Sequence, residues 1–162
     1  MGVEIERKFL VIGDAWRQAV VKSSHISQGY LARTDRMEIR VRLKDDKGYL
    51  TIKGQRHGSV RTEYEVEFPT ADIREILNQL VDGVVLEKER HLVPVGDLTF
   101  EIDEFIGDNA PLVLAEVELP SASHEVPTTL WLGTEVTEDH RFYNSYLSKV
   151  PFGSWPAESS TG

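Results

Sequence analysis

Residues 3–11 read Val-Glu-Ile-Glu-Arg-Lys-Phe-Leu-Val, and this stretch decides the fold. In an extended strand, successive side chains point to opposite faces. One face therefore carries Val3, Ile5, Arg7, Phe9 and Val11, and the other carries Glu4, Glu6, Lys8 and Leu10. Two carboxylates and an ammonium group on one strand face are unusual, and later segments repeat the pattern with charges of both signs.

Eight segments predict β-strands because most of them alternate apolar and polar residues at period two. They span about 3–11, 25–32, 36–44, 48–54, 60–68, 84–91, 97–105 and 112–120. Short turn signals such as Asp45-Asp46-Lys47-Gly48 separate them, which favours antiparallel neighbours. Helices are predicted over 14–22 with Asp14 as N-cap, over 71–81 with Thr70 as N-cap, and over 137–149.

Composition predicts a single globular domain. The chain has 162 residues, of which 40% are hydrophobic and 28% charged. We assign residues 1–150 to the domain and expect the Pro-, Ser- and Gly-rich residues 151–162 to form a mobile tail. No apolar run approaches the roughly 20 residues that a membrane-spanning helix needs.

Charge and cysteine content exclude several classes of function. The net charge of −9 disfavours nucleic acid and anionic membranes as partners, although a local basic cavity is compatible with it. The absence of cysteine excludes disulfides, a thiolate zinc site and a thiol nucleophile. A reducing, cytoplasmic location fits this composition.

The charges of opposite sign segregate by strand. Glutamates cluster on the first, fifth and eighth strands, whereas arginines and lysines cluster on the third, fourth and sixth. A solvated polar sheet face is the simple alternative, but such faces usually carry Thr, Ser and Gln. We therefore predict a mainly β, α+β fold: a closed, eight-stranded antiparallel barrel with a few flanking helices and a charged, water-filled tunnel. Closure also removes exposed edge strands.

The two sets of charges suit two kinds of ligand. Carboxylates supply the oxygen ligands that Mg²⁺ and Mn²⁺ prefer. Arginine and lysine donate hydrogen bonds to phosphate oxygens, and arginine can bind two of them at once. A tunnel with both sets matches a metal-bound polyphosphate.

Nearly the whole domain, about residues 3–149, resembles the CYTH, or triphosphate tunnel metalloenzyme, superfamily. Glu4-Ile5-Glu6-Arg7-Lys8 matches its ExExK signature. The remaining motifs follow in order as Gln28–Leu31, Glu38–Arg42, Leu50–Lys53, Glu63–Glu65, Glu87–Arg90, Asp103, Glu116–Glu118 and Val136–Asn144. Phe142 stands where the closing motif has Tyr. The chain is most similar to short, stand-alone bacterial members, several of which are inorganic triphosphatases.

The resemblance implies roles for the matching positions. The expected metal ligands for Mg²⁺ or Mn²⁺ are Glu4, Glu6 and Glu118, with Glu116 nearby. The expected substrate-binding residues are Lys8, Arg40, Arg42, Lys53, Lys88 and Arg90, with Arg141 at the terminal phosphate and Tyr30 as a hydrogen-bonding phenol. Glu4, Glu6, Lys8 and Lys88 are the expected catalytic residues. Glu63, Glu65 and Asp103 are candidates for a second metal site or for positioning water.

Internal alternatives stay open for several of these residues. Glu4 and Glu6 could form salt bridges to Lys8 and Arg42, and Arg141 could pair with Asp139. Tyr30 could serve only in barrel packing, and Glu63, Glu65 and Asp103 could be purely structural.

The activity implied by the resemblance is metal-dependent hydrolysis of inorganic tripolyphosphate to pyrophosphate and phosphate. Water would attack the terminal phosphorus directly, because no candidate nucleophile recurs on the charged faces. The alternatives are a class IV adenylate cyclase, a thiamine triphosphatase, and a polyphosphate-binding module without turnover. A homodimer is also expected.

Overall fold

The structure is a computed structural model and describes residues 2–156. The strands in this part of the chain are β1 (Gly2–Val11), β2 (Lys22–Arg33), β3 (Met37–Lys44), β4 (Lys47–Gly54), β5 (Val60–Phe68), β6 (Asp82–Val95), β7 (Leu98–Ile106), β8 (Val113–Glu118) and β9 (Leu132–Glu135). The α-helices are α1 (Thr70–Gln79) and α2 (Asn144–Leu147). Short 3₁₀ helices cover Ala15–Ala19, Gly107–Asn109, His140–Phe142 and Phe152–Ser154.

Eight of the strands close into an antiparallel barrel. Their order is β5-β4-β3-β2-β6-β7-β8-β1, and the pairing of β1 with β5 completes the ring. Gly2–Ile5 of β1 pair with β5, whereas residues 6–10 pair with β8. The remaining strand, β9, extends the sheet beside the end of β1 through Phe9 and Val11. The predicted closed, eight-stranded barrel is confirmed.

Strand register sets the predicted charged faces opposite one another on the inside of the barrel. Glu6 of β1 lies opposite Glu118 of β8, and Arg90 of β6 lies opposite Asp103 of β7. Because side chains alternate along each strand, knowing that one residue points inward identifies the other inward-facing residues of that strand.

The outer surface is covered in part by helices and loops, as predicted. Ile73 and Leu77 of α1 pack against Val41 of β3. On another side of the barrel, Trp16 and Trp131 belong to a buried cluster with the outward-facing side chains Phe100, Ile102, Ala115 and Val117. These contacts bury the apolar face of the sheet and leave the polar face for the interior.

An apolar cluster fills part of the barrel interior beside the charged residues. The inward-facing side chains Leu86, Phe105 and Leu114 pack against Phe142 and Leu147 from the end of the domain. The charged cavity therefore occupies only the remaining part of the interior.

The predicted helices differ in outcome. The helix over 71–81 is confirmed as α1, but its N-cap is Pro69 rather than Thr70. The segment 14–22 forms only the 3₁₀ helix Ala15–Ala19, since Val20 is already extended, and the Asp14 side chain makes no capping hydrogen bond. The segment 137–149 is split because Tyr143 is extended between a 3₁₀ helix and α2.

The C-terminal segment begins with contacts to the domain. The Trp155 ring packs against Phe152 and Phe142, with ring centroids 5.0 and 5.4 Å apart. Its Nε1 donates to the carbonyl oxygen of Val150 at 3.0 Å. Mobility of the tail stays a prediction, and residues 157–162 of that tail lie outside the described residues. Within residues 2–156, no helix is both long and apolar enough to cross a membrane.

Candidate active site

The inward faces of the strands enclose a cavity of about 300 Å³. The cavity wall brings together most of the residues predicted for the site: Glu4, Glu6, Lys8, Tyr30, Arg40, Arg42, Lys53, Glu63, Glu65, Lys88, Arg90, Glu116 and Glu118. Asp103 and Arg141 do not line it. Because β1, β5 and β8 are neighbours in the barrel, the glutamates form an acidic wall (Glu4, Glu6 and Glu118) that continues onto Glu63.

Two carboxyl groups of the acidic wall have no nearby cation in the described part of the chain. Among the described residues, neither Glu6 nor Glu118 has a cation within 4 Å. Burial raises the pKa of Glu6 to about 8, and the adjacent carboxylates Glu116 and Glu4 contribute to the increase. The pKa of Glu118 is raised by burial and by Glu4 and Glu63. A cation bound between these groups would relieve their repulsion.

Lysines occupy part of the acidic surface. The Nζ atom of Lys53 lies 3.3 Å from Glu4 and 3.2 Å from Glu63. Lys8 Nζ lies 3.2 Å from Glu116 and donates to the carbonyl oxygen of Phe142 at 3.0 Å. Glu4 therefore has an internal salt bridge, but its partner is Lys53 rather than Lys8 or Arg42.

The chemical type of the donors on the acidic wall fits a hard divalent cation, although the carboxylates do not converge on one point. All candidate donors on the acidic wall are carboxylate oxygens, which Mg²⁺ and Mn²⁺ prefer. Within residues 2–156, no three acidic or histidine side chains form a ready-made metal site. Glu6 and Glu118, opposite each other and without a cation partner, are the positions where a metal ion fits best.

The opposite side of the cavity is a basic wall (Arg40, Arg42, Lys88 and Arg90). One guanidinium N–H of Arg40 donates to Thr51 at 3.2 Å, and Glu65 lies 3.5 Å away. Arg40 Nε is buried and has no hydrogen-bond partner in the described part of the chain. A buried donor without a partner is rare in folded proteins and indicates a ligand or water at that position.

Positive charge is in excess around Arg42. Burial, together with the charges of Arg40 and Arg90, lowers the pKa of Arg42 to about 9. The guanidinium group still carries its proton at neutral pH. An anion bound beside Arg42 would therefore be attracted by several cations at once.

Asp103 is buried behind the basic wall, with only 1% of its surface exposed. Arg90 donates to both of its oxygens at 2.8 Å, and Lys88 Nζ lies 2.8 Å from one of them. Although burial alone would raise the pKa of Asp103, Arg90 and Lys88 hold it well below its usual value. Both oxygens are engaged by cations, so this geometry favours the structural alternative for Asp103 over a second-metal role with Glu63 and Glu65.

Arg141 takes the position that its alternative described, whereas Tyr30 combines packing with a place in the cavity wall. Arg141 donates to both carboxylate oxygens of Asp139, at 3.0 and 2.7 Å, outside the cavity. Tyr30 is 5% exposed and belongs to the interior apolar cluster, but its hydroxyl accepts a hydrogen bond from Gln28 at 3.3 Å and its side chain reaches the cavity wall.

The cavity wall also contains residues to which the sequence analysis gave no role. Arg61 lies 2.9 Å from Glu38, and Arg56 lies over the Tyr143 ring at 5.0 Å. Asn144 accepts a hydrogen bond from Lys88. Strand alternation places Glu38 and Arg61 on inward faces and could have identified them, whereas Arg56 and Tyr143 lie outside the strands, where no alternation applies.

Comparisons with known proteins agree with this architecture. A model of the CYTH domain family matches residues 2–152. The chain is 44% identical over 152 residues to an inorganic triphosphatase of Acetivibrio thermocellus, covering 94% of this chain and 97% of that protein. It is 37% identical over 150 residues to an inorganic triphosphatase of Nitrosomonas europaea, covering 90% and 96%.

A solved structure of the inorganic triphosphatase NE1496 has the same fold. It superposes with a TM-score of 0.65 at 35% identity and covers 91% of this chain and 99% of that one. The family model spans the entire barrel and so includes every strand that lines the cavity. The chain belongs to the CYTH domain family.

Proposed function

We propose that the protein is a metal-dependent triphosphatase that hydrolyses inorganic tripolyphosphate to pyrophosphate and phosphate. The observation that carries the proposal is that an acidic and a basic wall share one cavity, and that each contains at least one charged side chain without an oppositely charged partner in the part of the chain that the structure describes. Among the described residues, Glu6 and Glu118 lack a cation partner. On the basic wall, Arg42 has no carboxylate oxygen within 4 Å and Arg40 Nε is buried without a hydrogen-bond partner in that part of the chain. The names of the two bacterial relatives support the same reaction.

The metal-binding role is assigned to the acidic wall, with Glu116 nearby. Family membership implies a divalent metal, and we propose Mg²⁺ or Mn²⁺ because every candidate donor is an oxygen. When bound, the ion would neutralise charge on the phosphate chain and lower the pKa of a bound water. Glu4, Glu6 and Glu118 would hold it, and Glu63 and Glu65 would orient a water.

The substrate-binding role is assigned to Lys8, Arg40, Arg42, Lys53, Lys88 and Arg90. These side chains line a confined cavity, where hydrogen bonds to phosphate oxygens are stronger than in bulk water. Lys8 and Lys88 would stabilise the negative charge that develops as water attacks the terminal phosphorus. The location of Arg141 outside the cavity does not support direct contact with the substrate, and that of Asp103 does not support a second-metal role.

A substrate panel tests the proposal. The purified protein is incubated with tripolyphosphate, ATP or thiamine triphosphate and with Mg²⁺ or Mn²⁺, and phosphate, pyrophosphate and cyclic AMP are measured. We expect phosphate to appear from tripolyphosphate at least about tenfold faster than from ATP, because the cavity wall is polar and gives a base little apolar contact. Cyclic AMP would indicate the cyclase, and faster turnover of thiamine triphosphate would indicate the thiamine enzyme.

Binding without turnover is the remaining outcome. If tripolyphosphate bound tightly and no phosphate appeared with either metal, the polyphosphate-binding module would replace the triphosphatase. A cytoplasmic location, a homodimer, and the lack of nucleic-acid and membrane partners stay predictions.

A further inference from the structure

Gln28 holds Arg42 through a neutral side chain. It is fully buried in β2, at 0% exposure, directly opposite Arg42 of β3. Its Oε1 accepts hydrogen bonds from Nε and Nη2 of Arg42 at 2.9 and 2.7 Å. One amide oxygen therefore fixes one side of the guanidinium plane and leaves the rest of that group facing the cavity.

Asn144 of α2 connects Gln28 to a second cation. Nε2 of Gln28 donates to Oδ1 of Asn144 at 3.1 Å, and Nζ of Lys88 donates to the same oxygen at 2.9 Å. Arg42 donates to the oxygen of the Gln28 amide, and Gln28 and Lys88 donate to the oxygen of the Asn144 amide. These donors fix the orientation of both amide groups. Arg42 and Lys88 are thus joined by an amide bridge, which consists of Gln28 and Asn144.

The amide bridge is uncharged, unlike the partners of three other arginines on the cavity wall. Those partners are carboxylates: Arg40 lies 3.5 Å from Glu65, Arg61 lies 2.9 Å from Glu38, and Arg90 lies 2.8 Å from Asp103. Among the described residues, Arg42 has no carboxylate oxygen within 4 Å. A carboxylate would hold the guanidinium equally well but would cancel its charge, whereas the amide leaves that charge available to an anion.

We propose that the amide bridge positions Arg42 and Lys88 for the phosphate chain while leaving the charge of Arg42 uncompensated. This inference rests on the proposed function, because it assigns the bridge to binding of tripolyphosphate in the same cavity. Gln28 is a positioning residue, since it acts through Arg42. The bridge also explains how α2, at the end of the domain, contributes to a cavity built from strands.

Two substitutions of Gln28 separate charge from geometry. Gln28→Glu keeps an oxygen acceptor for Arg42 but adds a negative charge, and Gln28→Met has similar length without either hydrogen bond or charge. We expect Gln28→Glu to raise the KM for tripolyphosphate by at least about tenfold, and by more than Gln28→Met does, because it repels the anion and neutralises Arg42. A merely structural role would reverse this order, since Glu would still hold Arg42 and Met would not.

Controls address net charge and folding. Gln79→Glu adds the same charge on the exposed end of α1, and its KM should stay within about twofold of the wild-type value. Circular dichroism melts establish that each variant is folded. If Gln28→Glu does not fold, Asn144→Asp makes the equivalent change at a half-buried position, and it should also raise the KM by about tenfold.

The outcomes distinguish the inference from the proposed function. Two results would overturn the proposed role of the amide bridge alone, provided that the wild type turns over tripolyphosphate. In the first, Gln28→Met has a higher KM than Gln28→Glu; in the second, both variants fold and neither changes the KM. No wild-type release of phosphate from tripolyphosphate with Mg²⁺ or Mn²⁺ would overturn the proposed function and the inference with it.

Discussion

Glu6 lies where two strands bring carboxylates face to face. Its partner across β1 and β8 is Glu118, and like charges directly opposite each other destabilise a sheet. Burial and the nearby Glu116 and Glu4 account for the rise in the pKa of Glu6 to about 8. The metal-free protein therefore favours protonated Glu6 near neutral pH, and binding of a cation there would displace that proton.

The pH dependence of stability tests this description of Glu6. The folded pKa of about 8 lies above the unfolded value of 4.5, so the folded state binds the proton more tightly. The resulting stabilisation is complete below pH 4.5 and is lost as pH rises toward 8. Urea unfolding in EDTA should show the free energy of unfolding of wild type falling relative to Glu6→Gln across that range. A difference that is constant with pH would contradict the raised pKa.

The identity of the site residues was largely predictable, but their pairing was not. Alternation along a strand places Glu4, Glu6 and Lys8 on one face whatever the neighbouring strand is. Which charges meet across strands depends on register and on barrel closure, neither of which a single segment encodes. The sequence therefore predicted Glu4 as a site residue and missed its contact with Lys53. It likewise could not show that Asp103 lies behind the wall.

Some secondary-structure elements are determined by their own sequence, and others depend on contacts with the rest of the chain. The strands were predictable because period-two alternation is a property of each segment. The 3₁₀ helices, β9 and α2 are short and depend on tertiary contacts, so no periodic signal marked their boundaries. Leu147, for example, is fully buried against the barrel interior although α2 spans only Asn144–Leu147.

Packing of α2 inside the barrel gives a prediction about stability. Leu147 is 0% exposed in the interior cluster, so Leu147→Ala removes buried methyl groups and leaves a cavity. We expect it to lower the free energy of unfolding by about 3 kcal/mol. Leu130→Ala is the matched control, since Leu130 is 90% exposed, and its effect should stay within about 0.5 kcal/mol. Equal effects of the two substitutions in urea unfolding would contradict the packing of α2.

At the scale of the whole molecule, closure of the barrel concentrates opposite charges in one cavity. The chain carries a net charge of −9, yet six of its 18 arginines and lysines line the cavity from β3, β4 and β6. An open sheet would expose both faces to water, where such charges would be screened and weakly coupled. Closure brings the acidic and basic walls within reach of a single metal-bound oligophosphate.

Phosphate release from tripolyphosphate as a function of Mg²⁺ concentration tests this central claim most directly. We expect wild-type protein and the surface control Glu75→Gln to release phosphate only with the metal, and Glu4→Ala to remain folded but lose at least about 100-fold in rate. Undiminished phosphate release by wild type in EDTA, or by Glu4→Ala with Mg²⁺, would contradict the account.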